Sequence, residues 1–503
     1  MRDLFRSGLR LGESLARLPW KVTRRLASGK SETLNQAADL GERLGTLPFR
    51  AAARLVERSG EERAPQRGPR GEQKAGRGSQ SEARSTGEAP AGAKSKGRIL
   101  VVGAGYGGLT AFLELQDHLG RQYDLVLVNS DKHHWFTTEL HTYVAGTTED
   151  AVRIPLKRII HPPGRLIVDR VVAIHPKERQ VELKVGGRLS YHLLVFALGS
   201  DPEYYGLPGV QEHSLAVGSW QAATKLRQRI QQLLEATVDD GPTARVVVAG
   251  GGLTGVEVAG ELADEYPGRL RLTILEAAPE IMGGFDPELV QVSRTVLEAK
   301  GIRILTGTPI TRVDDQAIHL KSGEEVEYDL LVWSGGVRGS SVLADSGLEL
   351  TARGRATVDP YLRSVTDDRV YLVGDSASFL DPESGREIPP TAQAAVQMGR
   401  LAGRNILRRL RGRPEVAFTF RKRGSFASLG KHEGVGQIGQ EHFAGLPAMM
   451  VKHLIEGHHA WEMGSGVMPL VRRLLSVPRN YLTRRGAYRP QSRAGTAENP
   501  PLR

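Results

Sequence analysis

The stretch RILVVGAGYGGLTAFLELQDHLGRQYDLVLVN, residues 98–129, runs from an apolar β-forming segment through a glycine turn into a helical pattern, then out into a second apolar β run. Strand, glycine turn, helix and strand in that order make the opening unit of a doubly wound parallel sheet. Gly103, Gly105 and Gly108 fall on the G-x-G-x-x-G positions. The first allows the tight turn, the second lets a pyrophosphate approach the backbone, and the third lets helix pack on strand. The helix N-terminus then points its free N–H groups at the phosphates.

One glycine pattern is weak evidence, but the chain repeats it. ARVVVAGGGLTGVEVAGELADEYPGRLRLTILE, residues 244–276, has the same order of elements, with Gly250, Gly252 and Gly255 on the motif. Glu276 closes the second strand 26 residues after Gly250, and Asn129 stands at the same distance from Gly103. An acidic side chain there accepts both ribose hydroxyls and repels a 2′-phosphate, so Glu276 favours NADH over NADPH. Asn129 hydrogen-bonds a ribose without that charge. Between and beyond these units, short β runs alternate with helical patterns to about residue 400, an α/β pattern with two Rossmann-like dinucleotide-binding domains.

The rest of the composition narrows the chemistry. The 503 residues contain no cysteine, which excludes disulfide scaffolds, thiolate metal sites, iron–sulfur clusters and dithiol redox relays. His133, His134 and His141 lack carboxylate or thiolate companions at ligand spacing, as do His458 and His459, so no metal site is expected. No apolar run reaches the length of a spanning helix, and the first residues lack the long apolar core of a secretory signal.

Charge is unevenly distributed. Residues 1–96 carry 20 basic and 11 acidic side chains, and residues 400–503 carry 19 and 6, so with a net charge of +11 the middle is acidic. Basic, leucine-rich ends fit an anionic membrane surface better than a nucleic acid. The N-terminal part repeats itself: LGESLARLPWKVTRRL from Leu11 and LGERLGTLPFRAAARL from Leu40 have leucines at helical spacing, with Pro19–Trp20 and Pro48–Phe49 at matching places. Both copies read as amphipathic helices needing a surface of lipid, protein or each other. A transit peptide is the competing reading. From about residue 57 to 96 the chain is rich in Gly, Arg, Glu, Gln, Ser and Pro without apolar periodicity, as in a disordered linker.

Four further segments carry a family resemblance: VFALGSDPEYYGLPG, LLVWSGGVRGS, VYLVGDSASF and IPPTAQAAVQMGRLAGRNI. Together with the glycine motifs they resemble the two-dinucleotide-binding-domain flavoproteins, most closely the type II NADH:quinone dehydrogenases, over about residues 97–485. The resemblance implies FAD at the first site, with Gly199, Gly374 and Asp375 at the flavin ribityl and phosphate region, and NADH at the second, with Gly335 close by. It implies that Ala392, Gln393 and Gln397 lie beside the flavin pyrimidine and the quinone pocket, and that Glu257 lies near nicotinamide and isoalloxazine. The bland reading of Glu257 is a solvated helix flank. In NSDKHHWFTTELHTYVAG, which resembles the region over the flavin, Thr137 and Thr138 replace a frequent proline.

The resulting division is residues 1–56, amphipathic helical repeat; 57–96, linker; 97–210, first part of the FAD-binding domain; 211–330, NADH-binding domain; 331–405, second part of the FAD-binding domain; 406–490, C-terminal membrane or dimer region; and 491–503, disordered tail. The implied activity is non-proton-pumping transfer of hydride from NADH to FAD and of two electrons to a membrane quinone. The implied setting is peripheral, on the cytoplasmic face of a bacterial inner membrane, with a homodimer expected as one possible assembly. LPAMMVKHLIEGHHAW and GVMPLVRRLLSVPRNYLTRR are expected as an interfacial helix pair, or as a helical hairpin packed on the core or on a second subunit, two readings that are compatible. A soluble reductase for another acceptor and a slow-turnover flavoprotein sensor or scaffold are the alternatives.

Overall fold

The computed structural model describes residues 96–236 and 243–463. The N-terminal repeat, nearly all of the linker, the second C-terminal segment and the tail lie outside the described residues. The first domain begins with β1 (Arg98–Val102), α1 (Tyr106–His118), β2 (Asp124–Asn129), α2 (Leu140–Val144), β3 (Gly164–Val168) and β4 (Leu193–Phe196). The second comprises β5 (Ser214–Ala216), α3 (Trp220–Ala236), β6 (Ala244–Ala249), α4 (Leu253–Glu265), β7 (Leu270–Glu276), α5 (Pro287–Ala299), β8 (Arg303–Thr306) and β9 (Leu330–Trp333). The chain then returns to the first domain with β10 (Val370–Leu372) and α6 (Ala392–Leu410). It closes with β11 (Ser425–Ser428), β12 (Gly434–Ile438), β13 (Glu441–Ala444) and α7 (Leu446–Glu462).

The two large sheets have equivalent topologies. The first runs β10-β4-β1-β2-β3 and the second β5-β9-β6-β7-β8, all parallel. Parallel strands covered on both faces have no solvated side, which is why they read as continuous apolar runs such as ILVV and VVVA. Their order reverses beside β1 and β6, and a doubly wound sheet opens its ligand crevice at that reversal. Strand β9 crosses the expected boundary at residues 330 and 331 and belongs wholly to the second sheet. Likewise α6 runs on past residue 405.

Helices α1 and α6 cross at backbone contact: a Cβ on Gly399 would stand 2.1 Å from the Gly107 carbonyl oxygen. That crossing fixes the start of α6 against the first glycine turn. The C-terminal strands β11, β12 and β13 form an antiparallel sheet. Helix α7 packs on it through Ala448, Met450 and Val451 against Phe443. Ala448, Met449, Met450, Val451, Leu454 and Ala460 of LPAMMVKHLIEGHHAW are buried against protein, while the segment expected to pair with it lies outside the described residues. Among the described residues no helix is long and apolar enough to cross a membrane.

The second domain also holds a piece of the first. Arg227 on α3 donates to the carbonyls of Tyr143 (3.0 Å), Thr147 (2.7 Å) and Gly146 (3.3 Å), capping α2, and its guanidinium lies 4.6 Å from the Tyr143 ring centroid. Trp220 stacks on Trp135 at 3.7 Å and 9°. Charge-assisted bonds of this kind contribute about 1.5–3 kcal/mol each where the carbonyls are otherwise unmet. Arg227→Ala is expected to lower unfolding stability by about 2 kcal/mol, read by chemical denaturation, with Arg227→Lys recovering only part because one ammonium lacks the planar fork.

Candidate functional site: two glycine turns and a buried polar cluster

Each glycine turn is built the same way. Gly103 (φ +95°) and Gly250 (φ +109°) adopt backbone that L side chains rarely enter, and a Cβ there would meet the Ala197 carbonyl at 2.3 Å and the Ser334 carbonyl at 2.5 Å. Cβ atoms on Gly108 and Gly255 would stand 2.0 and 1.9 Å from the carbonyl oxygens of Gly103 and Gly250. These four glycines are required by the fold itself. Gly105 and Gly252 differ: each has ordinary φ, and a Cβ would meet nothing within 4 Å. The chain leaves room at the two positions where a pyrophosphate must come close, and both spaces lie at helix N-termini. That spacing fits two dinucleotides.

The residues closing the second strands brace the turns. Asn129 Oδ1 accepts from Ala104 N (2.9 Å), and Glu276 Oε2 accepts from Gly251 N (2.6 Å). Glu276 Oε1 accepts from Ala278 N (2.7 Å), which leaves lone pairs on the carboxylate for ribose hydroxyls.

Asp375 follows Gly374 (φ +68°) at the C-terminal end of β10. Ser200 Oγ donates to its carboxylate at 3.0 Å, Ser376 Oγ donates to the Gly199 carbonyl at 2.8 Å, and Arg355 Nε donates to the Asp375 carbonyl at 3.1 Å. Burial raises the Asp375 carboxyl above the ordinary range, opposed by Ser200 and the Arg355 charge. Added hydroxyl donors, such as those of a ribityl chain, would satisfy such a carboxylate. At the second site Gly335 is held by the Tyr205 hydroxyl, which donates to its carbonyl (2.9 Å).

The side-chain amides of Gln393 and Gln397 bond the chain segment that follows α6. Gln393 Oε1 accepts from Arg423 N (2.8 Å). Gln397 Oε1 accepts from Arg421 N (3.1 Å), while its Nε2 donates to the Arg421 carbonyl (3.0 Å) and the Gln393 carbonyl (3.3 Å). These amides hold an adjacent chain segment in place. The group left for a ligand is the helix start at Ala392, capped by Thr391, whose hydroxyl accepts from Ala394 N (3.2 Å).

Glu257 is 9% exposed, which rules out the solvated-flank reading. Its Oε1 accepts from Ser428 N at 3.2 Å and lies 3.2 Å from Lys452 Nζ; its Oε2 is 3.8 Å from His141 Nδ1. Lys452 Nζ is also 2.7 Å from Glu456 and 3.7 Å from Glu139. One buried ammonium thus faces three carboxylates from α4, α7 and the segment before α2. Burial works against the charged lysine, yet Glu257, Glu456 and Glu139 hold its pKa well above the ordinary value. One turn along α4, burial raises the Glu261 carboxyl, opposed by His141 and Lys452.

The first turn meets this cluster through Tyr106, whose hydroxyl bonds Thr138 Oγ1 (2.8 Å) and whose ring lies 4.9 Å from that of His459. His134 is fully buried, its Nδ1 2.7 Å from the Ala104 carbonyl. Burial lowers His134 to about 4, and burial with neighbouring positive groups lowers His459 to about 3. A histidine depressed in the folded state contributes stability fully present above its unfolded value near 6.5 and lost as pH falls through the folded one. Unfolding stability is therefore expected to drop between pH 6.5 and 4, by about 3 kcal/mol for His134 alone. His134→Gln flattens that slope, as denaturant titrations at stepped pH would measure.

Sequence reading missed Lys452, Glu139, Glu261, Glu456 and Tyr106. A lone lysine between MMV and HLI, four residues before Glu456, is the one local signal. Asp286, Glu288 and His442 also converge enough to hold an ion, a grouping the sequence reading did not single out.

Residues 97–399 match the family model described as pyridine nucleotide-disulphide oxidoreductase. The chain belongs to that family. Among curated family relatives, the type II NADH:quinone oxidoreductase of Staphylococcus haemolyticus is 30% identical over 393 residues, 74% of this chain and 97% of the relative. The same-named protein of Staphylococcus saprophyticus is 29% identical over 392 residues, with the same two coverages. Two solved structures share the fold. NDH2 from Plasmodium falciparum in complex with NADH has a TM-score of 0.68 at 16% identity, covering 76% of this chain and 98% of that one. The sulfide:quinone oxidoreductase of Aquifex aeolicus has a TM-score of 0.62 at 18% identity, covering 75% and 93%.

Proposed function

We propose that this member of the family is an FAD-dependent NADH:quinone oxidoreductase that works at a membrane surface. The observation that carries the reading is the pair of open positions at Gly105 and Gly252, with the buried Glu257–Lys452 cluster joining the two domains. The names of the staphylococcal relatives support the substrate pair. Bound at the first turn, FAD supplies the group that takes a hydride from NADH and passes two electrons to a quinone.

The chain's own residues do the rest. The α1 and α4 N-termini bind pyrophosphates, Asn129 and Glu276 fix the turns and offer ribose acceptors, and Asp375 accepts ribityl hydroxyls. The α6 start at Ala392 turns its free N–H groups toward negative charge that develops beside it. Quinone reduction consumes two protons, and Glu257, Glu456 and Glu139 around Lys452 offer carboxylates and an ammonium through which protons can be passed. A lipid-dissolved oxidant requires a peripheral site on the bilayer, which we assign to the cytoplasmic face of the inner membrane.

Steady-state oxidation of NADH and NADPH with ubiquinone and menaquinone analogues tests the reading. NADH is expected to be preferred. Preference for NADPH would remove the role given to Glu276, and NADH oxidation indifferent to added quinone would remove the acceptor.

A further inference from the structure

Residues 413–424 form a strap without regular secondary structure that lies along one face of α6. Three amide side chains on that face fasten it. Asn405 accepts from Val416 N (2.9 Å) and donates to its carbonyl (2.9 Å), Gln397 does the same with Arg421, and Gln393 accepts from Arg423 N. Phe418 is buried, its N donating to the Pro360 carbonyl (2.7 Å). The strap is thus a fixed ledge.

Its outward side is strongly basic. Arg413, Arg421, Lys422 and Arg423 are exposed, and among the described residues none has an acidic partner. Three of the bases on α6 are ion-paired, Arg400 with Glu462, Arg404 with Glu114 and Arg409 with Asp368. The strap's only acid, Glu415, is held by Arg363 and Tyr371. Four unneutralised cations therefore stand on a backbone pinned to the helix that begins at Ala392.

We infer that this strap is a docking surface for an anionic phospholipid bilayer, which seats the α6 start against the membrane. The inference rests on the quinone reading, because a lipid-dissolved oxidant has to reach that helix start. Charge complementarity with anionic headgroups names the partner, and the hydrogen bonds to Asn405, Gln397 and Gln393 hold the strap backbone in place, so that binding orders side chains only.

The test uses the full-length flavin-loaded protein and the triple variant Arg421→Gln, Lys422→Gln, Arg423→Gln. Co-flotation is measured with vesicles of phosphatidylcholine alone and with about one-third phosphatidylglycerol. Basic side chains at such a surface are worth about fivefold each in partitioning, so the variant is expected to lose on the order of 100-fold on anionic vesicles, and much of its salt dependence. Turnover with a water-soluble quinone is expected to stay unchanged, while turnover with a long-chain quinone carried in anionic vesicles falls.

A loss of less than tenfold overturns the surface, and so does unchanged flotation accompanied by lost retention on immobilised RNA. Wild-type protein inert toward the soluble quinone would instead overturn the functional reading, independently of how it floats.

Discussion

Lys452→Met is expected to lower unfolding stability by about 3–5 kcal/mol at neutral pH, because it removes the buried ammonium that Glu257, Glu456 and Glu139 share. The sign with pH follows from the raised lysine. Stability from a raised cation is present below its unfolded value, about 10.4, and is lost only as pH rises through the higher folded one. The wild type should therefore keep this contribution across neutral pH. The penalty in the variant should shrink toward acid pH, as the carboxylates protonate. In stopped-flow experiments bleaching by NADH is expected to persist, whereas recovery on quinone addition slows by about 100-fold, the usual size of a lost proton-transfer partner. Should the methionine variant not fold, Glu456→Gln keeps the lysine and tests the same step. Equal slowing of bleaching and recovery would contradict the division of roles.

The second large effect separates glycines that the fold needs from those that a ligand needs. Gly105→Val and Gly252→Val place side chains where the chain has left space, in backbone that valine tolerates. Both should fold. Gly105→Val is expected to be purified colourless, and Gly252→Val yellow but with the KM for NADH raised at least tenfold. Gly108→Val and Gly255→Val, whose side chains would run into the Gly103 and Gly250 carbonyls, are expected to fail at folding instead. A yellow Gly105→Val protein would move the flavin away from the first turn.

Much of the architecture could be read locally. The repeated strand, glycine turn, helix and strand specify both parallel sheets because register, turn and helix start lie within about thirty residues. The matched places of Asn129 and Glu276 become two braces on equivalent N–H groups. Distant pairings were not legible. Glu257 and Lys452 come together only when β11 carries Ser428 under α4 and α7 folds back over it, and the basic character of the tail hid one lysine turned inward. Gln393 and Gln397 were legible by position but not by contact, since nothing in AQAAVQ tells that their amides hold Arg421 and Arg423. The LPAMMV segment has the composition of an interfacial helix, and the strands of residues 425–444 decide that it packs on protein.

The claim on which the rest depends is that two dinucleotides share one electron path. An anaerobic titration of the purified, FAD-reconstituted protein tests it most directly. One equivalent of NADH should bleach the bound flavin, and one equivalent of a quinone analogue should restore the full colour. A protein that stays colourless after reconstitution, or one bleached by NADH whose colour quinone does not restore, would contradict it.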